Sequence, residues 1–205
     1  MATKYSFIGL LLLISGSSVF MTCNKIGLGC ANSTYSFEID ARVYPDNDTV
    51  TIGDTIWIEI NSSDTFTDQK TNEQVDFSNA NNLGTDMGFD KLVNSSPIEL
   101  EGAVDSFNFV LISGIEETSR NPSLIKNYLI IDNNNRYHFK LAIVPKSSGT
   151  FSFNLGNFTG VYRNDDPCPK ADFYTKLIET NQHYYLYPGG SGVSPTGADY
   201  YFYVR

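Results

Sequence analysis

Regular alternation of apolar and polar residues is the feature that most constrains how this chain folds. In "YSFEIDARVY", residues 35–44, every second side chain is apolar, and the residues between them are polar or charged. "RYHFKLAIV" and "FSFNL" repeat the pattern on either side of the turn residues "PKSSGT". Successive side chains of a strand point to opposite faces, so this period predicts strands that are covered on one face and solvated on the other. We expect the last two segments to pair as a β-hairpin.

The rest of the chain also favours β-structure. About eight to ten short strand-like runs are separated by turn residues, and no stretch has the apolar period of an amphipathic helix. A polar loop is expected at 61–72, and in the tail two aromatic strands, Tyr184 to Tyr187 and Tyr200 to Val204, are expected around a Gly/Pro/Ser loop. The pattern predicts an all-β, antiparallel β-sandwich with long loops.

The charge of the chain is acidic. It has 14 Lys and Arg against 23 Asp and Glu, a net charge of -9, and no cluster of basic residues. Such a surface repels phosphate backbones, so we expect no nucleic-acid partner.

The N-terminus has the parts of a signal peptide. Lys4 precedes the apolar run "FIGLLLLIS", and small polar residues follow it before Cys23. The run is shorter than the roughly 20 residues of a membrane-spanning helix. Residues 1–22 are therefore expected to be a removable leader that exports the protein.

The three cysteines, Cys23, Cys30 and Cys168, leave one without a partner in an exported protein. If Cys23 carries lipid, the odd number is explained, and Cys30 and Cys168 are left as a disulfide pair. The alternative is ordinary cleavage near Ser18, which would leave Cys23 free or paired. A redox or metal role is disfavoured because the chain has no CxxC motif.

Several of these segments together resemble lipoproteins of the Bacteroidota that carry immunoglobulin-like domains. They are "FMTC" followed by "CNK" at Cys23, "DTVTIGDTIWI" at 48–58 and "PKSSGTFSF" at 145–153. The resemblance implies lipidation of Cys23, a short tether at 23–33 and an immunoglobulin-like β-sandwich domain at 34–205. It also implies a place at the outer membrane, on the cell surface or on the periplasmic face.

The sequence has few candidates for catalytic residues or metal ligands. "GGSG" at 189–192 does not complete G-x-S-x-G, and His138 and His183 are both expected on the surface. The acidic pairs Glu116–Glu117, Asp165–Asp166 and Glu99/Glu101 are typical of solvated loops in an acidic protein. The loops "PDNDT" at 45–49 and "DNNN" at 132–135 fit either turns or a bound cation, and neither completes a calcium loop. We expect no catalytic residues, no metal site and no cofactor.

Aromatic side chains on the polar face of strands are the best indication of a binding site. Trp57 is expected to point to the face opposite Ile56, Ile58 and Ile60, and it is the first candidate for ligand binding. Tyr185 and Tyr187 are further candidates. The alternative is that a loop or a second sheet covers them. Thr49 and Thr55 lie in D-T-apolar triplets that resemble the O-glycosylation sites of exported Bacteroidota proteins.

Taken together, the sequence predicts a non-catalytic, lipid-anchored envelope protein that binds or displays a protein or a glycan. The alternatives are a periplasmic or secreted scaffold of an outer-membrane assembly, and a glycan-cleaving enzyme with two acids facing each other across a groove.

Overall fold

The computed structural model describes residues 35–166, 168–188 and 197–205. The predicted signal peptide and tether, with Cys23 and Cys30, lie outside the described residues. Cys168 is described and is not free, but the predicted Cys30–Cys168 pairing and the lipidation of Cys23 stay predictions. Within the described ranges, no helix has the length and hydrophobicity needed to cross a bilayer.

Strands dominate the described residues, together with two single 3-10 turns at Val104–Ser106 and Tyr184–Leu186. The strands are β1 Tyr35–Tyr44, β2 Thr49–Val50, β3 Ile56–Ser63, β4 Thr65–Thr67, β5 Gln74–Asp76, β6 Ala80–Asn81, β7 Gly84–Ser95, β8 Ile98–Gly102, β9 Phe107–Ser113, β10 Ile115–Glu117, β11 Ile125–Leu129, β12 Ile131–Asp132, β13 Arg136–Pro145, β14 Gly149–Leu155, β15 Phe158–Arg163, β16 Lys170–Leu177 and β17 Asp199–Val204.

Two main sheets carry the fold. The first has the order β12-β13-β3-β1-β16-β15-β6, with β9 also paired to β13. The second has the order β10-β11-β7-β14-β17-β2, with β8 also paired to β7. Strands β9-β13-β3-β1 and β7-β14-β17 occupy the places of strands D-E-B-A and C-F-G of an immunoglobulin domain. The predicted all-β, immunoglobulin-like sandwich is confirmed.

Aromatic side chains join the inner faces of the two sheets. The ring of Phe107 on β9 lies 5.0 Å from Phe151 on β14 and 6.0 Å from Phe202 on β17. Phe109, also on β9, lies 5.1 Å from Phe89 on β7. These residues occupy the inward positions of the alternating pattern, so the pattern of the sequence places them in the core.

The predicted hairpin between "RYHFKLAIV" and "FSFNL" is wrong. Both segments are strands, but β13 pairs with β3, β9 and β12, whereas β14 pairs with β7 and β17. The short connection between them passes from the first sheet to the second. Each strand thereby gains neighbours on both edges, which a two-stranded hairpin would not provide.

The connection between β14 and β17 is an insertion into the immunoglobulin pattern. Its strands β15 and β16 extend the first sheet beyond β1, with β16 parallel to β1. The chain then returns to the second sheet through the 3-10 turn Tyr184–Leu186. The predicted strand at Tyr184 to Tyr187 is therefore wrong. Left-handed backbone at Glu179, Gln182 and His183 (φ 56°, 56° and 48°) prevents extended structure on the approach to these tyrosines.

The expected polar loop at 61–72 is partly structured. Strand β3 extends to Ser63, and β4 pairs with β5 in a small separate sheet. Phe66 on β4 is buried against Phe37 and Phe173, at ring distances of 5.2 and 5.1 Å. The buried carboxylate of Asp68, which accepts a hydrogen bond from Ser36 N at 2.8 Å, helps Phe66 to dock a stretch that is otherwise polar.

Candidate ligand groove on the second sheet

Trp57 lies on the outer face of the first sheet, as its position opposite Ile56 and Ile58 predicts. Its ring is only partly exposed, because the Tyr44 ring stacks beside it at 6.4 Å and Lys140 Nζ lies 5.1 Å from its centre. Lys140 also pairs with Glu59 at 3.6 Å. Neighbours from the same sheet already occupy the surroundings of Trp57, and its role in binding stays a prediction.

The side chains of Tyr185 and Tyr187, in and just after the 3-10 turn, make different contacts. Tyr185 is 59% exposed, and its hydroxyl donates a hydrogen bond to Asp48. Tyr187 is half-buried, with its ring 5.9 Å from Tyr184 and 5.6 Å from Tyr201. Tyr201 lies on the outer face of the second sheet, opposite the face that carries Trp57. The structure therefore does not bring Trp57, Tyr185 and Tyr187 into one site.

Three cross-strand rows form the outer face of the second sheet. Each row takes one residue from β7, one from β14 and one from β17, in the order Gly88–Asn154–Asp199, Asp90–Ser152–Tyr201 and Leu92–Thr150–Tyr203. Adjacent strands are about 4.8 Å apart, so the ends of a row are about 10 Å apart. None of these nine residues is a lysine or an arginine.

A small groove, with a volume of about 10 Å³, lies over the last two rows. Its lining includes Leu92, Leu100, Thr150, Ser152, Leu186, Tyr187, Pro188 and Tyr201, and we call it the tyrosine groove. The β7 and β14 residues form its floor. Leu100 of β8 forms one wall, and the segment from Leu186 to Pro188 forms the other. Leu100 is 44% exposed, so one wall offers an apolar side chain directly to solvent.

Asp90 lies next to the groove, in the same cross-strand row as Ser152 and Tyr201, and is not one of the residues that line it. Asp90 is half-buried, and among the described residues its carboxylate has no hydrogen-bond or ion-pair partner. Burial and, to a lesser extent, the charge of Asp199 raise the pKa of Asp90 above its usual value. Burial, the charge of Asp199 and the neighbouring tyrosines likewise raise the pKa of Tyr201. Asp199 itself accepts a hydrogen bond from Asn154 Nδ2 at 2.6 Å.

Asp46, in the connection between β1 and β2, holds the wall segment in place. Its Oδ1 accepts a hydrogen bond from Thr180 Oγ1 at 2.9 Å. Its Oδ2 accepts two from Asn181, from the backbone N at 3.0 Å and from Nδ2 at 2.9 Å. His183 Nε2 lies 2.8 Å from Asp46 Oδ1, outside hydrogen-bond alignment. One carboxylate thus fixes the residues that lead directly into the 3-10 turn.

His183 shows what the sequence pattern missed. It was expected on the surface, but it is 6% exposed and packs between the rings of Tyr185 and Tyr200, at 6.1 and 5.4 Å.

The sequence offers the "PDNDT" loop either for turns or for a bound cation. In the structure, its Asp46 and Asp48 carboxylates accept hydrogen bonds from residues of the insertion between β14 and β17. Over the described ranges, no three His, Cys, Asp or Glu side chains are grouped so that they could hold a metal ion.

The acidic pairs singled out in the sequence lie on β10, after β15 and on β8, and Glu116 and Glu117 both line an open pocket with Pro122, Ile125 and Lys126. Glu116 and Glu117 are adjacent on β10, and Glu116 accepts a hydrogen bond from Lys126 Nζ at 2.5 Å. Asp166 pairs with Arg163 at 3.2 Å. The third pair, Glu99 and Glu101, lies exposed along β8.

The threonines proposed for glycosylation lie at the start of the domain. Thr49 is exposed on β2, and Thr55 is partly exposed just before β3. Their modification stays a prediction.

Comparison with known proteins gives little further information. No protein-family model and no curated protein matches this chain. One solved structure, the type II cohesin dyad from the adaptor ScaA scaffoldin of Acetivibrio cellulolyticus, aligns with 13% identity over 69% of this chain. The alignment covers 46% of that chain, so this chain spans about half its length, and the TM-score is 0.27. A likeness this low carries no argument, and the fold assignment rests on the strand pairing described above.

Proposed function

We propose that this chain is a non-catalytic binding protein of the cell envelope that holds a protein partner in the tyrosine groove. One observation carries the proposal: the groove combines leucine and proline side chains with the rings of Tyr187 and Tyr201. Concave surfaces with apolar linings and a few convergent polar groups are the usual form of binding sites. Tyrosines at the centre of such surfaces often provide a large share of the binding energy.

A protein partner fits the groove better than a glycan does. Three of the residues that line it are leucines, Leu92, Leu100 and Leu186, and Pro188 lies on the same wall as Leu186. Aliphatic walls suit the apolar side chains of a polypeptide, whereas sugars stack on exposed aromatic faces. The ring of Tyr187 is turned toward other tyrosines, with neighbours at 5.6 and 5.9 Å. The groove therefore offers apolar contact area more than a free stacking platform.

Photocrosslinking in the native cells tests this proposal. A photoreactive phenylalanine analogue replaces Leu100 in the full-length chain, and irradiation is expected to give a discrete protein adduct. The same analogue at Tyr174 is the matched control, because Tyr174 is 45% exposed but lies on the outer face of the first sheet. The Tyr187→Ala substitution is expected to abolish the adduct at position 100.

The possible outcomes separate the alternatives. Equal adducts at positions 100 and 174, or none at position 100, would contradict a partner in the groove. Persistence of the adduct in Tyr187→Ala would do the same. An adduct that glycosidases remove and proteases leave intact would replace the protein partner with a glycan.

We also propose that Cys23 carries the lipid that anchors the domain to the outer membrane. The support is the leader, the odd number of cysteines and the resemblance of the segment around Cys23. The intact non-reduced mass of protein from native membranes is expected to begin at Cys23, to include acyl chains, and to lack two hydrogens for a Cys30–Cys168 bridge. The Cys23→Ala variant should lack the acyl mass. A wild-type mass without acyl chains would contradict the anchor.

A further inference from the structure

We propose that β9 is the interface between two copies of this chain. In this dimer the two β9 strands pair edge to edge and antiparallel, and the first sheets of both copies become one continuous sheet. The inference is independent of the tyrosine groove, which lies on the second sheet.

β9 lies at an edge of the first sheet. Its only strand partner among the described residues is β13. The pairing is regular from Phe107 to Leu111, and Ile112 is an extra residue that interrupts it. Within the described part of the chain, no strand pairs with the other side of this regular stretch. The backbone N–H and C=O groups on that side are therefore open to a further strand.

Both faces of β9 leave apolar side chains uncovered. On the outer face, Val110 is 51% exposed and Ile112 is 57% exposed. On the inner face, Phe109 and Leu111 pack against the core but stay partly exposed, whereas the inward residues of the neighbouring strand β13 are fully buried. A strand added to this edge covers side chains on both faces, so hydrophobic burial adds to backbone hydrogen bonding.

Several other edge strands of the two sheets are protected against pairing, by their short length or by charge. Strands β2, β6 and β12 have two residues each. β10 carries Glu116 and Glu117, and β8 carries Glu99 and Glu101. β9 has seven residues, and none of them is charged. A long, uncharged apolar edge invites aggregation when it is left open, so its presence favours a specific partner strand.

Charge is the first reason to expect a second copy as this partner. The net charge of the chain is -9, so two copies repel each other over most of their surfaces. Near β9, Lys126 lies 5.2 Å from the Phe109 ring, and Lys140 lies on the adjacent strand β13. Glu116 and Glu59 pair with these two lysines. Two copies can therefore meet along β9 without placing carboxylates opposite each other in the strand pair.

Symmetry is the second reason. An antiparallel pair of identical strands is related by a two-fold axis, so each strand receives from its copy the contacts that it gives. With the axis at Phe109, the middle of the regular stretch, Asn108 lies opposite Val110 of the copy, and Phe107 lies opposite Leu111. The pairing uses the open edge of both copies, so the assembly closes as a dimer.

Photocrosslinking tests the inference in native cells that express a tagged and an untagged full-length chain. A photoreactive phenylalanine analogue replaces Val110, and irradiation is expected to join a tagged copy to an untagged copy. The cross-linked peptide of the second copy should contain residues 107–111. The analogue at Tyr174 is the matched control, because Tyr174 is 45% exposed on the outer face of the same sheet but lies on β16. It should give no such adduct.

Sedimentation equilibrium of the purified full-length chain measures the strength of the dimer. Val110→Lys is expected to raise the dissociation constant about tenfold or more, because it places like charges in the strand pair. The Tm of the protein diluted below the dissociation constant should not change, since the side chain is exposed in the monomer. Ile98→Lys adds the same charge at a 46% exposed position on β8 and should leave the dissociation constant unchanged.

The outcomes that contradict the dimer are distinct. A chain that sediments as a monomer and gives no tagged–untagged adduct would overturn the inference. An adduct at position 110 that contains only a different protein would also do so, as would equal dissociation constants for Val110→Lys and the wild type. If circular dichroism shows that Val110→Lys does not fold, Ile112→Lys takes its place in the comparison, with the same expected result.

Discussion

Replacement of Phe107 by alanine is expected to lower the free energy of unfolding by about 3–5 kcal/mol. Phe107 begins β9 at the inner face of the first sheet and is 3% exposed. Its ring contacts Phe89, Phe151 and Phe202 of the second sheet at 5.6, 5.0 and 6.0 Å. Truncation leaves a cavity between the two sheets, and close-packed aromatic neighbours on three strands of the second sheet can only partly fill it.

Urea unfolding followed by circular dichroism measures this effect, and Val110→Ala is the matched control. Val110 lies on the same strand, but it points to the outer face and is 51% exposed, so its truncation should change the free energy of unfolding by at most about 0.5 kcal/mol. Similar losses for the two variants would show that Phe107 does not join the sheets as described.

The period-two pattern was enough to predict the fold class. Inward residues such as Phe37, Ile58 and Phe151 sit at the positions that the alternation assigns to the core. The pattern reports which face of a strand is buried, and the prediction of a sandwich depends only on that.

Strand partners were not predictable in the same way. Strands β13 and β14 are joined by a short turn and both alternate, yet they lie in different sheets. Alternation says nothing about which edge a strand pairs along. That choice depends on strands that are distant in the sequence, since β3 pairs with β13 and β7 pairs with β14.

The candidate site was predicted only in part. Tyr187, which the sequence offers as a ligand-binding candidate, lines the groove, and its role in binding stays a prediction. The remaining lining comes from β7, β8, β14 and β17, which lie far apart in the sequence. In the sequence, Leu100 looks like an ordinary residue of a turn region.

Asp46→Ala is expected to lower the stability of the whole domain and also to disorder one wall of the tyrosine groove. The substitution removes the acceptor of three hydrogen bonds from Thr180 and Asn181 and the carboxylate beside His183. The loss should be about 2–4 kcal/mol, because hydrogen bonds to charged groups are worth more than neutral ones and the buried His183 loses its charged neighbour. The wall of the tyrosine groove follows directly from these residues, so we expect the groove to be lost as well.

Amide hydrogen exchange of Asp46→Ala most directly tests the central claim that Asp46 fixes the insertion that completes the groove. In the wild type, the amides of Leu186, Tyr187 and Tyr201 donate to His183, Tyr184 and Gln182, so they should exchange slowly. The account predicts that protection across 180–187 falls about a hundredfold in Asp46→Ala, while strands β7 and β14 keep theirs. Asp48→Ala, which removes the acceptor of Tyr185 and Thr49, should cause a smaller change. Protection across 180–187 that stays within twofold of the wild type would contradict the account.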